Sequence, residues 1–333
     1  MNIGIKTIEY ALPENILTNE ELAKIYADWT AEKILAKTGI ASRHFVSGNE
    51  CASDLAEQAA RKLFSSGKVA PEEIDFILLA TQSPDYFLPT TACILQDKLG
   101  IPQTAGALDF NLGCSAFIYG LAMAKSLVKA GIAKNVLLLT AETYTKYIHP
   151  MDKSNRTIFG DGAAATLISR GGHAIGEFDL GTDGSGKEYL IVPAGASRLP
   201  SSEDTAREID DNGSIRTQDN LYMNGPEVFN FSIRVVPQSI KNILDKHNLD
   251  LSEVDLFVFH QANKFMLDYL RKKMKIPEDK FYVDMEDIGN TVSATIPIAL
   301  KRAEEKGRLK KGDRVLIIGF GVGLSWGSTI LTW

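Results

Sequence analysis

Short, continuous apolar runs alternate along this chain with segments of helical periodicity. The runs include FILLA at 76–80, VLLLTA at 136–141 and RVLIIGFG at 314–321. Helical patterns lie between such runs, for example at 52–64 and 227–244. Strands buried on both faces have this continuous apolar character, and in such folds helices cover the sheet. The pattern therefore predicts an α/β fold with mostly parallel sheets.

The order of these elements occurs twice. PEEIDFILLATQS resembles LSEVDLFVFHQAN, and two further pairs of segments match in the same order about 180 residues apart. The matched pairs are 71–83 with 251–263, 109–132 with 285–309, and 134–144 with 313–323. We interpret this as a duplication that gives two α/β halves, residues 1–170 and 171–333, related by a pseudo-twofold axis and stacked in layers. The polar segment 181–224 breaks the repeat and is predicted to be a surface loop or lid.

Composition excludes several classes of protein. The chain has 333 residues, enough for two core-forming units, and a net charge of −6, which disfavours nucleic-acid binding. The N-terminal residues lack the pattern of a secretory signal, and VLIIGFGVGL is too short to cross a membrane, so a cytoplasmic protein is expected. Cys51, Cys93 and Cys114 have neither the spacing of a disulfide framework nor that of a metal site.

Three polar residues follow equivalent strand ends of the two halves. Cys114 and Asn290 occupy matching places, each just after a glycine and before a helix, and His260 ends a strand where the first half has Ala80. Ligands gather beyond the carboxyl ends of parallel strands. We therefore expect these side chains to converge near the pseudo-twofold axis.

Each of these residues alone has a structural interpretation. Cys114 is compatible with core packing, His260 with a structural hydrogen bond and Asn290 with a helix cap. Taken together at duplicated strand ends, the three favour catalysis. The position of Cys114 before a helix predicts a lowered thiol pKa. The loop GFGVGLSWG at 319–327 lacks the spacing of a dinucleotide site but can direct backbone N–H groups at an oxyanion.

Six motifs in this chain resemble those of the β-ketoacyl-acyl carrier protein synthase III family, within the thiolase superfamily. The resemblance covers nearly the whole chain and is most specific in the Cys, HQAN and GNT series. The motifs are KTGIASRH, NLGCSAFIYGL, IFGDGAAA, FHQAN, GNTVSATIPIAL and GFGVGLSWGS.

The resemblance implies a dimeric, thiolase-like α-β-α-β-α fold and a decarboxylative Claisen condensation of an acyl-CoA primer with malonyl-acyl carrier protein. Cys114 would be the nucleophile that carries the acyl group. His260 and Asn290 would donate hydrogen bonds to the malonyl thioester oxygen, and the backbone N–H groups of Cys114 and Val322 would form the oxyanion hole. No metal or redox cofactor is implied.

The resemblance also implies positions for substrate contacts and carrier-protein docking. The substrate-binding residues would be Asn263, Leu88, Phe229, Lys37, Gly321 and Gly323, and the docking residues would be Lys264, Arg271 and Lys272. This chain departs from the family at four of the aligned places. Lys33 replaces a tryptophan that stacks on the CoA adenine, Lys37 and Phe265 replace arginines, and Leu88 replaces an aromatic residue that closes the acyl pocket across the dimer. Leu88 predicts a roomier primer pocket.

Other activities fit the sequence less well. Degradative thiolases use a second cysteine near the C-terminus, whereas no cysteine follows Cys114, and elongating ketosynthases use two histidines. Hydroxymethylglutaryl-CoA synthases use a glutamate where this chain has Gln82, which cannot carry a proton. Papain-like proteases have catalytic Cys, His and Asn in the same order. They also carry a local signature around the cysteine, and this chain lacks it. A non-catalytic binding protein on the same fold remains an alternative.

Overall fold

The computed structural model describes residues 2–26 and 28–333. Within this part of the chain, ten strands form one continuous sheet. Five come from the first half of the sequence: β1 (Ile3–Ala11), β4 (Phe76–Ala80), β5 (Gly106–Phe110), β6 (Val136–Glu142) and β7 (Gly162–Arg170). Five come from the second half: β8 (His173–Thr182), β13 (Leu256–Phe259), β14 (Phe281–Tyr282), β15 (Arg314–Gly321) and β16 (Ser325–Thr332).

The strand order reads the same from either edge of the sheet. It runs β5-β4-β6-β7-β1 in the first half and β14-β13-β15-β16-β8 in the second, and β1 pairs with β8 at the centre. Two pairs of equivalent strands, β4 with β13 and β6 with β15, come from the segments that repeat in the sequence. Strand β7 ends at Arg170 and β8 begins at His173, and the division of the chain between residues 170 and 171 stays a prediction.

The sheet is mixed, so the expectation of mostly parallel strands is only partly met. In each half the three outer strands are parallel, whereas the inner two run antiparallel to their neighbours. In the second half the reason is local: β15 and β16 are joined by a short turn at 322–324, and a short turn forces an antiparallel pair.

Two helices form the middle layer, α5 (Ala116–Lys129) and α9 (Thr295–Glu305). Their apolar faces share one core with strands of both halves. Helix α3 (Ala52–Ser65) and α4 (Thr91–Lys98) cover the outer face of the first half, and α7 (Gly225–His247) and α8 (Lys264–Lys273) pack on the second. The result is the α-β-α-β-α arrangement expected of a thiolase-like fold.

Shorter elements surround these layers. They are β2 (Asn15–Thr18) paired with β3 (Ser42–Phe45), β9 (Leu190–Ile191) with β12 (Tyr222–Met223), β10 (Ile209–Asp211) with β11 (Ser214–Arg216), and helices α1 (Asn19–Ile25), α2 (Ala31–Thr38) and α6 (Lys153–Arg156). The segment 181–224, predicted as a loop or lid, therefore contains two small hairpin-like pairs. Among the described residues, no helix is long and apolar enough to cross a membrane.

Candidate active site

Cys114 lies between the end of β5 and the start of α5 and is only 5% exposed. Its neighbour Ser115 is tied to the second half, because Ser115 Oγ lies 2.7 Å from Ser325 Oγ. The turn that carries the cysteine is tightly enclosed. A Cβ atom added to Gly113 would lie 2.6 Å from Gln82 Oε1. The thiol is therefore held where the two halves meet.

The predicted lowering of the Cys114 pKa is wrong. Burial raises the pKa of this thiol to about 12, and the negative charge of Glu142 adds to the increase. Hydrogen bonds from backbone N–H groups to the sulfur oppose the shift only in part. The sequence showed the helix that follows Cys114 but not the depth of its burial. At physiological pH the Cys114 side chain is therefore a neutral thiol, and a base would be needed to form the thiolate.

His260 follows the last residue of β13, at the edge of the sheet where Cys114 lies. Its ring is 2% exposed, and Nδ1 lies 2.7 Å from Thr295 Oγ1. Burial lowers the pKa of His260 to about 3, so the imidazole is neutral at physiological pH. The Thr295 hydroxyl donates to Val292 O at 3.0 Å, so it accepts from Nδ1–H and leaves Nε2 without a proton.

Asn290 does not cap α9, which begins five residues later. Its Oδ1 instead accepts from Val292 N at 2.9 Å, within the turn that precedes the helix. Its Nδ2 donates to Ala262 O at 3.4 Å, in the segment that follows His260. Because Oδ1 is fixed by the backbone, the amide presents its NH₂ group to the same space as His260.

The three side chains line one narrow cavity with a volume of about 40 Å³. Apolar side chains form most of its wall, and Leu190 and Met223 from the predicted lid segment close one side. The lining residues are Cys114, Ile158, Phe159, Leu190, Met223, Val228, Ser232, His260, Ala262, Asn263, Met266, Asn290, Phe320 and Gly321. The predicted convergence of Cys114, His260 and Asn290 is thus found in the structure, with Asn263 and Gly321 beside them.

Two backbone N–H groups favour the thiolate form of Cys114 and so oppose the rise of its pKa. The donors are Val322 N and Cys114 N, the pair expected to form an oxyanion hole. Ser325 holds the loop in place, because its hydroxyl donates to Val322 O at 2.8 Å. An anionic oxygen that forms on a carbon bonded to the sulfur would lie near both donors.

Four of the predicted substrate-binding residues do not line the cavity. Leu88 is 82% exposed at the surface. Phe229 packs on the rings of Phe265 and Tyr269, and Lys37 places its ammonium 4.7 Å from the centre of the Trp29 ring. Gly323 lies beyond the cavity, in the turn before β16. Within one chain these positions are not part of the catalytic cavity.

The predicted docking residues lie on α8, whose N-terminus carries Asn263. Lys264 pairs with Asp268 at 2.5 Å, and Arg271 lies 3.4 Å from Glu278. Lys272 is exposed, and among the described residues no carboxylate pairs with it. The helix therefore presents basic side chains at the surface near the mouth of the cavity, and Lys272 is the cation free for an acidic partner.

Sequence reasoning missed the buried acid Glu142. It ends β6 with no exposed surface, and burial raises its pKa to about 8. A signal was present, because an acidic residue at the carboxyl end of an apolar strand is unusual. Asp161 is a second buried acid, and its carboxylate accepts from the backbone N–H groups of Val46 and Thr145. Among the described residues, no group of histidine, cysteine and acidic side chains is placed to hold a metal ion.

Comparisons of the sequence and of the structure with known proteins all find the same family. Residues 108–184 match the family model for 3-oxoacyl-[acyl-carrier-protein] synthase III, and residues 244–333 match the model for its C-terminal part. The chain is 40% identical to the β-ketoacyl-[acyl-carrier-protein] synthase III of Caldanaerobacter subterraneus, over 97% of this chain and 95% of that protein. It is 39% identical to that of Fusobacterium nucleatum, over 100% and 99%. A crystal structure of a 3-oxoacyl-(acyl-carrier-protein) synthase III matches with a TM-score of 0.98 and 53% identity over the full length of both chains.

Proposed function

The chain belongs to the 3-oxoacyl-[acyl-carrier-protein] synthase III family, and from this premise we propose which of its residues perform the reaction. The enzyme is an acyltransferase that condenses an acyl-CoA with malonyl-acyl carrier protein and so initiates fatty acid synthesis. The observation that carries the assignment of roles is the shared cavity of a buried thiol, a neutral imidazole and an oriented amide.

In the first half-reaction, Cys114 Sγ attacks the thioester carbonyl of the acyl-CoA. The raised pKa of the thiol requires a base, and neutral His260 can accept the proton at Nε2 when Nδ1–H donates to Thr295. Sγ bonds to the acyl carbon, the bond between that carbon and the CoA sulfur breaks, and the proton passes to the departing sulfur. The N–H groups of Cys114 and Val322 stabilise the tetrahedral oxyanion.

In the second half-reaction, the malonyl thioester occupies the space left by CoA. Asn290 Nδ2–H donates to its carbonyl oxygen. His260 donates to it from Nε2 in its other neutral tautomer, in which the Thr295 hydroxyl turns from Val292 O to donate to Nδ1. The oxygen becomes an enolate as the bond to the carboxylate breaks and CO₂ leaves. The new carbanion bonds to the acyl carbon, and the bond from that carbon to Sγ breaks. The released thiolate takes up one proton, which restores the enzyme.

Substrate entry and docking extend this proposal. Asn263 and Gly321 line the cavity and are placed to contact the pantetheine arm that both substrates share. Lys37 and the positions of Phe229 and Gly323 would contact the outer parts of a longer substrate. Lys264, Arg271 and Lys272 on α8 would meet the acidic carrier protein. A cytoplasmic location stays a prediction from the sequence.

A homodimer is the second part of this proposal. Tyr86, Phe87 and Leu88 are consecutive and exposed, at 63%, 90% and 82%. They lie near β5, an edge strand of the sheet whose Leu108 is 38% exposed. An apolar loop beside an unpaired strand edge is typical of a surface that a second subunit covers. Leu88 would then reach the primer pocket of the partner.

Intact-mass spectrometry tests the assignment of the nucleophile. Wild type and Cys114→Ser are incubated with acetyl-, butyryl-, isobutyryl- and octanoyl-CoA and with the matching acyl-carrier proteins. We expect wild type to gain one acyl mass and Cys114→Ser none, and the fastest donor identifies the primer. Absence of acylation from every donor would contradict the proposed role of Cys114 and favour a binding protein on this fold.

A further inference from the structure

Glu142 connects the two halves of the molecule beside the catalytic cavity. Its Oε2 accepts from Gln82 N and Ser83 Oγ, both at 3.0 Å, in the first half. Its Oε1 lies 2.9 Å from Ser293 Oγ, in the second half. The carboxyl group has no exposed surface and no basic partner within ion-pairing distance among the described residues. A buried acid without a cation is costly to maintain, and the reaction steps described above do not use it.

Ser293 belongs to the turn that joins Asn290 to α9. Within this turn, Val292 adopts a left-handed backbone conformation with φ of 53° and is fully buried. This conformation is unfavourable for a β-branched residue and persists only where the surroundings enforce it. The Glu142 contact lies at the next residue along the chain, so it is placed to enforce that conformation.

The backbone of Val292 bonds directly to Asn290 and only indirectly, through Thr295, to His260. Its N–H donates to Asn290 Oδ1 at 2.9 Å and so fixes the amide. Its carbonyl accepts from Thr295 Oγ1 at 3.0 Å. The Thr295 hydroxyl oxygen in turn lies 2.7 Å from His260 Nδ1. A shift of this one peptide would therefore move the Asn290 amide directly, whereas His260 bonds to Thr295 on α9 and Cys114 is held by other contacts.

We propose that Glu142 is a positioning residue for the condensation step, acting through Ser293 on the turn that orients Asn290. This inference rests on the proposed function. Glu142 touches no substrate in this arrangement, because its contacts are with Gln82, Ser83 and Ser293. Glu142 would act only on the geometry of the site. Because it bonds to residues of both halves, it fixes the position of the turn at Ser293 in the second half relative to Cys114 in the first.

The test separates the two half-reactions in Ser293→Ala. This variant removes the contact with the turn and leaves the bonds of Glu142 to Gln82 and Ser83. Acylation is followed by intact mass with the fastest donor from the acyl-CoA panel, and condensation by single-turnover mixing of the acylated enzyme with malonyl-acyl carrier protein. We expect condensation to fall roughly five- to tenfold, the usual effect of one buried hydrogen bond, with acylation within twofold of wild type.

Two further variants exclude a general effect on stability. Ser239→Ala removes a buried hydroxyl that bonds to Ser328 at 2.9 Å, far from the cavity, and should change neither half-reaction. Glu142→Ala should slow condensation, and adding Ser293→Ala to it should cost nothing more, because both changes break the same contact.

Equal loss of acylation and condensation in Ser293→Ala, or condensation at the wild-type rate, would overturn the inference while the proposed function stands. Additive losses in the double variant would also overturn it. A wild-type enzyme that is not acylated or does not condense would overturn the proposed function, and this inference with it.

Discussion

Gly321 is in direct contact with Cys114: a Cβ atom at Gly321 would lie 2.7 Å from the cysteine Sγ and 2.8 Å from its Cβ. The backbone of the β15 terminus therefore forms the wall against which the nucleophile rests. The N–H of the next residue, Val322, is one of the two backbone groups that oppose the rise of the Cys114 pKa. The close approach of Gly321 to Cys114 and the position of the Val322 N–H therefore both depend on the path of the backbone at 321–322.

Gly321→Ala should consequently abolish most acylation of Cys114. The added methyl group must displace the thiol or the loop, and overpacking of this kind also costs about 1–3 kcal/mol of stability. We expect at least a tenfold slower acylation by the best acyl-CoA, measured by intact mass. Gly184→Ala is the matched control, because a Cβ atom there meets nothing within 4 Å. Acylation of Gly321→Ala at the wild-type rate would show that this contact is not needed.

The architecture and the main site residues were predictable from local sequence features. Continuous apolar runs predicted where the buried strands lie, and the repetition of these runs in the same order predicted the duplicated halves. Cys114, His260 and Asn290 stand out because polar groups that end buried strands meet at one edge of a sheet. These features depend on near neighbours in the chain, so they can be read without the tertiary structure.

The environment of each group was not predictable in this way. The high pKa of Cys114 depends on its burial beneath segments distant in sequence, and Glu142 is bonded to residues 82, 83 and 293. Asn290 was expected as a possible helix cap. A short turn separates it from α9, however, and its Oδ1 accepts from Val292 N within that turn. The antiparallel inner strands follow from how the halves join, which apolar content alone does not reveal.

Asn290→Ala should separate the two half-reactions. The amide donates to the malonyl thioester oxygen in the proposed mechanism, whereas acylation uses Cys114, His260 and the backbone donors. Loss of one such donor typically slows the step by about 10²–10³-fold. We expect Cys114 acylation within threefold of wild type and a condensation rate reduced by that factor. A variant in which acylation is slowed as much as condensation would assign Asn290 to both steps.

Glu142 should make stability fall as pH rises. Unfolded glutamate loses its proton near its ordinary pKa of 4.5, whereas the native group loses it near 8. Between these values the native state holds one more proton than the unfolded state. The free energy of unfolding therefore decreases by up to about 1.4 kcal/mol per pH unit from this group.

Glu142→Gln removes that dependence. Denaturant unfolding of wild type and variant from pH 5 to 8 should show the variant gaining stability relative to wild type as pH rises. Asp161→Asn is the comparison, because burial raises the pKa of Asp161 only to about 6, so its difference from wild type should level off above pH 6. Parallel curves for wild type and Glu142→Gln would show that Glu142 ionises in the native state at its ordinary pKa.

Phe87→Asp should disrupt the proposed dimer. The phenyl ring is 90% exposed in the single chain, and a carboxylate at this place would be buried without a partner in the interface. Light scattering should show wild type as a dimer and Phe87→Asp as a monomer at micromolar concentration. Ile132→Asp changes an apolar residue that is 66% exposed on another surface and should remain dimeric. A monomeric wild type would contradict the proposed interface.

Lys272→Glu should weaken the use of malonyl-acyl carrier protein and leave acylation by acyl-CoA unchanged. Lys272 is exposed on α8, next in sequence to Arg271, and reversal of its charge would repel an acidic carrier protein. We expect KM for malonyl-acyl carrier protein to rise several-fold at low salt, with kcat nearly constant, and the difference to shrink as salt screens the charges. Lys311→Glu reverses an exposed charge before β15 and serves as the control. A charge that contacts the carrier protein must affect its binding more than a charge that does not. Equal KM values for Lys272→Glu and Lys311→Glu would therefore contradict carrier-protein docking at Lys272 of α8.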